Sequence, residues 1–255
     1  MRVFSERLAD FDLRRPASKR DYNRRVFRAV APRYAVITRL LSFGMDAWWK
    51  RTLVARLPSA VAWPQSGVSP RALDLACGTG DISLLLARRL PGGRVEGLDL
   101  SPAMLARARR RAGYRRAAGG LRYRLGDLGR LPYPAESFHL VTGGYALRNA
   151  PELERCLREV FRVLRRGGSA AFLEFNRSPV PWLGRLQVRL LSAWGGLWGL
   201  LLHGNPEVYA YIAETLAMFP DRLSFERLLR ELGFRKVRSL LTPGGFVSLT
   251  FAVKP

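Results

Sequence analysis

The eight residues Asp74-Leu75-Ala76-Cys77-Gly78-Thr79-Gly80-Asp81 constrain the fold more than any other stretch of this chain. The apolar run Ala72 to Ala76 enters them as a buried strand, and Asp81 to Leu90 leaves them with helical periodicity. A strand that turns through Gly-x-Gly into a helix brings bare backbone and a helix N-terminus to one point, where a ligand can approach the main chain. The rhythm then continues. Arg94 to Leu98 reads as a second strand ending at Asp99, and Ser101-Pro102 as the N-cap and first residue of a helix through about Arg111. Leu121 to Leu125 and Phe138 to Thr142 read as further strands. Glu152 to Leu164 reads as an amphipathic helix closed by Gly167-Gly168, before a strand from Ala170 to Phe175. Strands alternating with helices of about ten or more residues predict an α/β chain, with a mostly parallel sheet and helices on both faces.

Two segments break the alternation. The first, 1–70, carries a helical stretch from Tyr22 to Leu41, the turn Ser42-Phe43-Gly44 and the pair Trp48-Trp49. The second, 179–220, is an apolar insertion containing Trp and Gly, entered through Pro179 and Pro181. A helix from Phe225 to Leu232 and strand-like runs near Lys236 to Leu241 and Phe246 to Val253 follow it. Both segments read as covers over one edge of the sheet.

The glycine turn and the acids around it admit two ligand classes. Asp99, at the end of the next strand, stands where a carboxylate can take both hydroxyls of a ribose. A dinucleotide site wants a third glycine where this chain has Ser83, which disfavours a pyrophosphate. Asp74, ahead of the glycines, suits a ligand that carries an amine. S-adenosylmethionine has both the ribose and the amine. The plainer reading is a tight turn with Asp99 capping the helix after it. Asp127 is placed to accept from an adenine amino group, or stands solvated beside Arg124 or Arg130.

Composition narrows the partners. The chain has 255 residues, 48% of them hydrophobic and 25% charged, which excludes disorder, a collagen-like repeat or a disulfide-stapled miniprotein. Its net charge of +23 favours anionic partners such as nucleic acid, an acidic substrate or a phospholipid surface. Only Lys19, Lys50, Lys236 and Lys254 are lysines, and such arginine bias also follows from genome composition. Cys77 and Cys156 make no disulfide framework, and with His139 and His203 standing alone no metal site is expected. Met1 to Arg25 lacks an apolar stretch, and Glu6, Asp10 and Asp12 argue against a mitochondrial presequence. The apolar run Leu190 to Leu202 is too short for a span of roughly 20 residues. A cytoplasmic protein is expected, with contact to a membrane surface open.

Further motifs resemble those of the ubiquinone/menaquinone biosynthesis C-methyltransferases. Val26-Phe27-Arg28-Ala29-Val30-Ala31-Pro32-Arg33-Tyr34, Leu41-Ser42-Phe43-Gly44 and Trp49-Lys50-Arg51 resemble the family's N-terminal signature. Asp74 to Asp81 resembles its cofactor loop, Leu131-Pro132-Tyr133 its Leu-Pro-Phe element and Ala146-Leu147-Arg148-Asn149 its Gly-Leu-Arg-Asn motif. Leu173-Glu174-Phe175 and the late stretch Tyr209-x-Tyr211-Ile212-Ala213-Glu214, followed by Phe219-Pro220, also match. The resemblance runs from about Val26 to Lys254. Departures at Ala35, Thr38, Ala146, Asn176 and Pro243 fall mostly near the expected substrate side.

The resemblance implies a class I methyltransferase fold and S-adenosylmethionine as cofactor. Residues 1–70 would cover the active site, and a Rossmann-like body, 71–255, would carry a substrate-side insertion at 179–220. Asp74, Ala76, Gly78, Thr79, Gly80, Asp99, Leu100, Met104, Asp127 and Leu128 are expected to bind the cofactor. The acceptor is expected to be a demethylated menaquinol or related prenylated quinol, with another phenolic or polyketide-like acceptor as the alternative. A phenolate is the better carbon nucleophile, and Arg148 stays protonated, so Arg148 is expected to hold a water or stabilise the developing phenolate. Asn149 would orient Arg148 or touch the cofactor, and Tyr34 would close over the site. The competing readings are an Arg148–Glu152 pair and a packing role for Tyr34. Trp48, Trp49, Trp182, Trp194 and Trp198 line a polyprenyl tunnel or pack in the core. Arg185 and Arg189 give the insertion a basic face that suits anionic lipid, or snorkel from a buried cover helix. A nucleic-acid partner is disfavoured because the arginines are dispersed, and a homodimer is left open.

Overall fold

A computed structural model describes residues 7–57, 69–114 and 120–255. Glu6 and the stretch 58–68 of the N-terminal segment lie outside the described residues. A seven-stranded sheet has the order β3-β2-β1-β4-β5-β7-β6. Its strands are β1 (Arg71–Leu75), β2 (Arg94–Asp99), β3 (Leu121–Leu125), β4 (Phe138–Gly144), β5 (Leu164–Phe175), β6 (Arg235–Leu241) and β7 (Val247–Val253). The first five pair in parallel, and β7 runs antiparallel to both β5 and β6.

Period-two patterning sorts each strand's side chains between two cores. Leu73 and Leu75 of β1, Val141 of β4 and Ala170 and Phe172 of β5 face one side. There they meet Leu157 and Val160 of α6 (Leu153–Val163) and Phe225 and Leu229 of α9 (Arg222–Glu231). Ala72, Leu140, Ala171 and Leu173 face the other side, against Trp49 and Leu53 of α3 (Asp46–Ala55) and Ile82 and Leu86 of α4 (Asp81–Arg89). The expected helices on both faces of a mostly parallel sheet are present.

A third cluster forms beyond the carboxyl ends of the central strands, where the two covers lie, and not along an edge of the sheet as expected. It joins Tyr22, Val26 and Val30 of α1 (Pro16–Val30), Ile37 and Leu41 of α2 (Tyr34–Leu41), Met104 of α5 (Pro102–Tyr114) and Val208, Tyr209 and Tyr211 of α8 (Glu207–Met218). The insertion is a helical hairpin, with α8 packed along α7 (Pro181–His203). Gly195 and Gly199 of α7 allow the close approach, since a Cβ would lie 2.9 Å from the Tyr209 carbonyl oxygen and 2.6 Å from that of Asn205 respectively.

Some boundaries differ from the sequence reading. The single helix expected over Tyr22 to Leu41 is two, separated by a 3-10 turn at Ala31–Arg33. Pro32 has no amide hydrogen to donate back along the helix, so the ladder breaks there. Gly167-Gly168 do not close α6, which ends at Val163 and passes straight into β5. Instead Gly167, at φ 74°, sits where the pairing of β4 with β5 shifts register. Helix α9 starts three residues earlier than expected, because the Asp221 carboxylate accepts from the amides of Leu223 and Ser224.

Candidate active site

Strand order 2-1-4-5 opens a crevice beyond the carboxyl ends of β1, β2, β4 and β5, the position where open α/β sheets take ligands. Residues that follow those ends line a cavity: Ala76 and Gly78 after β1, Asp99 and Leu100 at β2, Tyr145 after β4 and Phe175 at β5. Helices α1, α2 and α8 close it with Phe27, Ile37 and Ile212, and it encloses about 1280 Å³ including its open mouth.

The glycine loop is built for close approach. Ala76, Gly78 and Gly80 all take positive φ, at 45°, 54° and 80°. A Cβ at Gly78 would lie 3.8 Å from Cε1 of Tyr34, so the missing side chain keeps the gap between loop and ring clear. Asp99 binds this loop to the next one. Its Oδ2 accepts from the Gly78 amide and its Oδ1 from the Ser101 amide, each at 2.8 Å. Burial raises this carboxyl to about 6, with both amides opposing the shift. The capping and ligand-facing readings of Asp99 are therefore compatible, because each oxygen keeps a second lone pair at the cavity wall.

Of the residues expected from sequence, Tyr34, Ala76, Gly78, Asp99, Leu100, Met104, Asp127, Leu128, Arg148 and Asn149 line this one cavity. Asp74 does not. It lines a smaller recess that shares Tyr34, Ala76, Gly78, Gly144 and Tyr145 with the cavity and adds Lys50 and Asp81. The Asp74 carboxylate accepts from Ser83 Oγ at 2.6 Å and Thr142 Oγ1 at 2.9 Å, and burial raises it to about 7. Ser83, the residue in place of a third glycine, is thus a hydrogen-bond donor to that buried acid. Thr79 and Gly80 line neither space. Arg111 donates to the Thr79 carbonyl at 3.0 Å, and Gly80 abuts the Tyr123 hydroxyl. Asp127 pairs with Arg20 at 2.6 Å, not with Arg124 or Arg130, and accepts from the Gly129 amide.

Arg148 is 7% exposed and sits on a 3-10 turn, Leu147–Asn149. Its Nη1 donates to Thr215 Oγ1 at 3.0 Å and to Asn149 Oδ1 at 3.4 Å, and its guanidinium lies over the Phe175 ring. Its acid is Glu174, with Nε and Oε2 4.0 Å apart and neither atom hydrogen-bonded; the expected alternative, Glu152, pairs with Arg155. Burial raises Glu174 to about 7 against the pull of Arg148. Three supports of this turn escaped the sequence reading. Glu174 Oε1 accepts from the Leu147 amide, Lys19 Nζ donates to the Arg148 carbonyl, and Asn23 Nδ2 donates to the Asn149 carbonyl. The sequence signals were Glu174 in the Leu173-Glu174-Phe175 motif and the spacing of Lys19 and Asn23, which puts both on one helix face.

Three of the five tryptophans take the packing reading. Trp49 is buried among Leu53, Ile82 and Leu86, and Trp194 and Trp198 pack against the third cluster. Trp48 and Trp182 are exposed, and none of the five lines the cavity. The insertion's share of the cavity wall comes from α8 and not from α7, which packs against α8.

The chain matches the model of the ubiE/COQ5 methyltransferase family over residues 16–254. It is 38% identical to the demethylmenaquinone methyltransferase of Thermus thermophilus over 86% of this chain and 96% of that protein. It is 35% identical to the 2-phytyl-1,4-naphtoquinone methyltransferase of Thermosynechococcus vestitus, over 90% and 97% respectively. The fold matches a solved S-adenosylmethionine-dependent methyltransferase of Thermotoga maritima with TM-score 0.63 and 19% identity, covering 91% of this chain and 99% of that one. The clear gap at Gly78 and the buried Asp99 carboxylate at the wall suit a ribose-bearing cofactor. This chain is an S-adenosylmethionine-dependent methyltransferase of the ubiE/COQ5 family.

Proposed function

We propose that this enzyme methylates a ring carbon of a demethylated menaquinol or related prenylated quinol in quinone biosynthesis. The observation that carries the reading is the buried guanidinium of Arg148 beside an apolar part of the wall formed by Val26, Phe27, Ile37, Phe175 and Ile212, in a cavity whose acids Asp46, Asp99 and Asp127 do not suit an anionic polymer. Such a wall suits an aromatic ring with an apolar tail, whereas nucleic acid would require a continuous basic groove. The names of the relatives from Thermus and Thermosynechococcus support a naphthoquinol-type acceptor.

The bound cofactor supplies an electrophilic methyl carbon on a sulfonium. Asp99 would hold the ribose hydroxyls, with Ala76, Gly78, Leu100, Met104, Asp127 and Leu128 around the rest of the adenosine. Tyr34 would close over the loop, its phenol raised by burial to about 12 and hence protonated. Arg148 would stabilise negative charge on the ring oxygen as the carbon nucleophile develops, through the guanidinium it presents at the cavity wall. Asn149, whose Nδ2 is anchored on the Tyr145 carbonyl, would hold the guanidinium through Oδ1. The test is methyl transfer to extracted demethylmenaquinol against simple phenols. Preference for the prenylated acceptor supports the reading, and equal or greater turnover of the phenols removes it.

We also infer peripheral contact with an anionic membrane. No described helix is long and apolar enough to cross one. Trp182, Leu186, Leu190, Leu197, Leu200 and Leu201 are exposed along one side of α7, with Arg185 and Arg189 among them and no acid in the helix. Phe43, 76% exposed, stacks on Trp194 and joins the turn after α2 to the same surface. Exposed apolar side chains interleaved with arginines match a lipid surface. A second copy of the chain is the competing occupant.

A further inference from the structure

Four acids beside the glycine loop have both carboxylate oxygens engaged. Asp74 takes Ser83 and Thr142, Asp99 takes Gly78 and Ser101, Asp81 takes Lys50 and Arg111, and Asp127 takes Arg20 and Gly129. Asp46, the first residue of α3, differs. Its Oδ2 accepts from Lys50 Nζ at 2.7 Å, while its Oδ1 is buried without a hydrogen-bond partner. The residue is 9% exposed and lines the cavity with Tyr34 and Tyr145. A buried carboxylate oxygen that lacks a donor carries an uncompensated desolvation penalty, which a bound cation would relieve.

The surroundings hold Asp46 in this state. Lys50 bridges it to Asp81 at 3.0 Å, and Asp81 continues to Arg111 at 2.6 Å, so the charges of these four residues alternate and Lys50 is shared between two acids. Burial alone would discharge Lys50, but Asp81 and Asp46 together raise its pKa above the ordinary lysine value. Tyr145 stays protonated, pushed up by burial and by Asp46 itself, and its hydroxyl, near enough to Asp46 to interact with it but making no hydrogen bond to Oδ1, is the neutral donor a bound cation would compete with.

The placement identifies the cation. Asp99 binds the Gly78 amide, Tyr34 lies across the gap from Gly78, and Tyr34 feels the charges of both Lys50 and Asp46. These groups follow one another along one wall. With the ribose at Asp99, the rest of the methyl donor would lie in the cavity that Gly78, Tyr34 and Asp46 line, and its free end carries an ammonium beside a carboxylate.

We propose that Asp46 Oδ1 receives the α-ammonium of the methyl donor's amino-acid end, so that this site discriminates the intact donor from adenosine thioethers lacking that end. Sequence reasoning gave the amine to Asp74, which lines the smaller recess and not the cavity that holds Asp99 and Asp46. The inference rests on the cofactor and is independent of which acceptor is methylated.

Calorimetry on the full chain tests it with S-adenosylhomocysteine and with 5′-methylthioadenosine, which has no amino-acid end. Asp46→Asn should weaken S-adenosylhomocysteine about ten- to hundredfold and leave methylthioadenosine affinity unchanged. An equal loss for both ligands, or no loss for either, overturns the proposal. The substitution also removes the charge opposite Lys50, so a crystal structure of the unaltered protein with S-adenosylhomocysteine gives a second reading. An ammonium nitrogen within about 3.2 Å of Asp46 Oδ1 supports the assignment, and one placed elsewhere overturns it.

Discussion

Lys19 Nζ donates to the carbonyl oxygen of Arg148 at 2.9 Å, tying the first long helix to the turn that carries the proposed catalytic arginine. The ammonium is buried, and burial with the nearby Arg148 lowers it to about 8. Lys19→Met would remove one bond to the turn but also relieve a buried cation. Stability should therefore change by no more than about 1 kcal/mol, while turnover falls roughly tenfold through the loosened guanidinium. Chemical denaturation alongside single-turnover methyl transfer separates the two effects. A variant with the parent rate would make Lys19 a packing residue only.

Arg148→Lys keeps the charge and loses the planar fork that reaches Thr215 and Asn149 together. If the guanidinium acts on charge that appears during reaction, cofactor affinity should hold while the rate constant drops about 10²–10³-fold. Higher pH should restore part of the rate by ionising the quinol in solution. The measurement is single-turnover transfer across pH at saturating cofactor. A defect confined to cofactor affinity would contradict the assignment.

Asp99→Ala should reduce S-adenosylmethionine affinity by about 10- to 150-fold, corresponding to ~1.5–3 kcal/mol for a charged hydrogen-bonding group. The substitution also frees the Gly78 and Ser101 amides, so methylthioadenosine should weaken with it. That pattern is opposite to the selective loss expected for Asp46→Asn. Calorimetric titration that finds both ligands unaffected would remove Asp99 from the binding site.

Glu174 gives the fold a pH dependence of definite sign. Its carboxyl is raised from 4.5 in the unfolded chain to about 7 by burial. Between those values the folded protein keeps a proton that the unfolded chain has lost, so this group's contribution to stability falls as pH rises through the window and levels off above it. Glu174→Gln has no such proton. Relative to the parent it should gain about 1–3 kcal/mol between pH ~4.5 and ~7. Urea denaturation at pH 5 and pH 8 checks this, and an equal difference at both would show that Glu174 does not titrate in that range.

The exposed side of α7 should bind vesicles containing anionic lipid, and Arg185→Gln with Arg189→Gln should weaken that binding. The apolar contacts and the charge act together, so raising salt should release part of the bound protein. Co-sedimentation across salt and lipid composition is the measurement. Dimerisation through this face, with no vesicle binding, would favour the second copy as its occupant.

Local pattern was enough for the sheet, its helices and the glycine loop, because strand and helix periodicity and positive-φ turns depend on near neighbours in sequence. It also gave Gly78 and Asp99, while the family resemblance added Tyr34, Arg148 and Asn149, and the structure gathers all five around one cavity. It misjudged the break at Pro32 and the role of Gly167, where a single residue competes with a longer periodic run.

Which polar groups remain free was settled only in three dimensions. Asp74 and Asp46 are both acids at helix or strand ends, but packing gives Asp74 two hydroxyl partners and leaves one oxygen of Asp46 with none. The apolar insertion likewise splits, α8 facing the cavity and α7 facing outward, because Gly195 and Gly199 fix which sides of the two helices meet. The sequence by itself determined the elements and the cofactor loop. The tertiary structure decided the partners of buried charges, since hydrogen bonds between residues as far apart as Lys19 and Arg148 exist only once the sheet and its covers have packed.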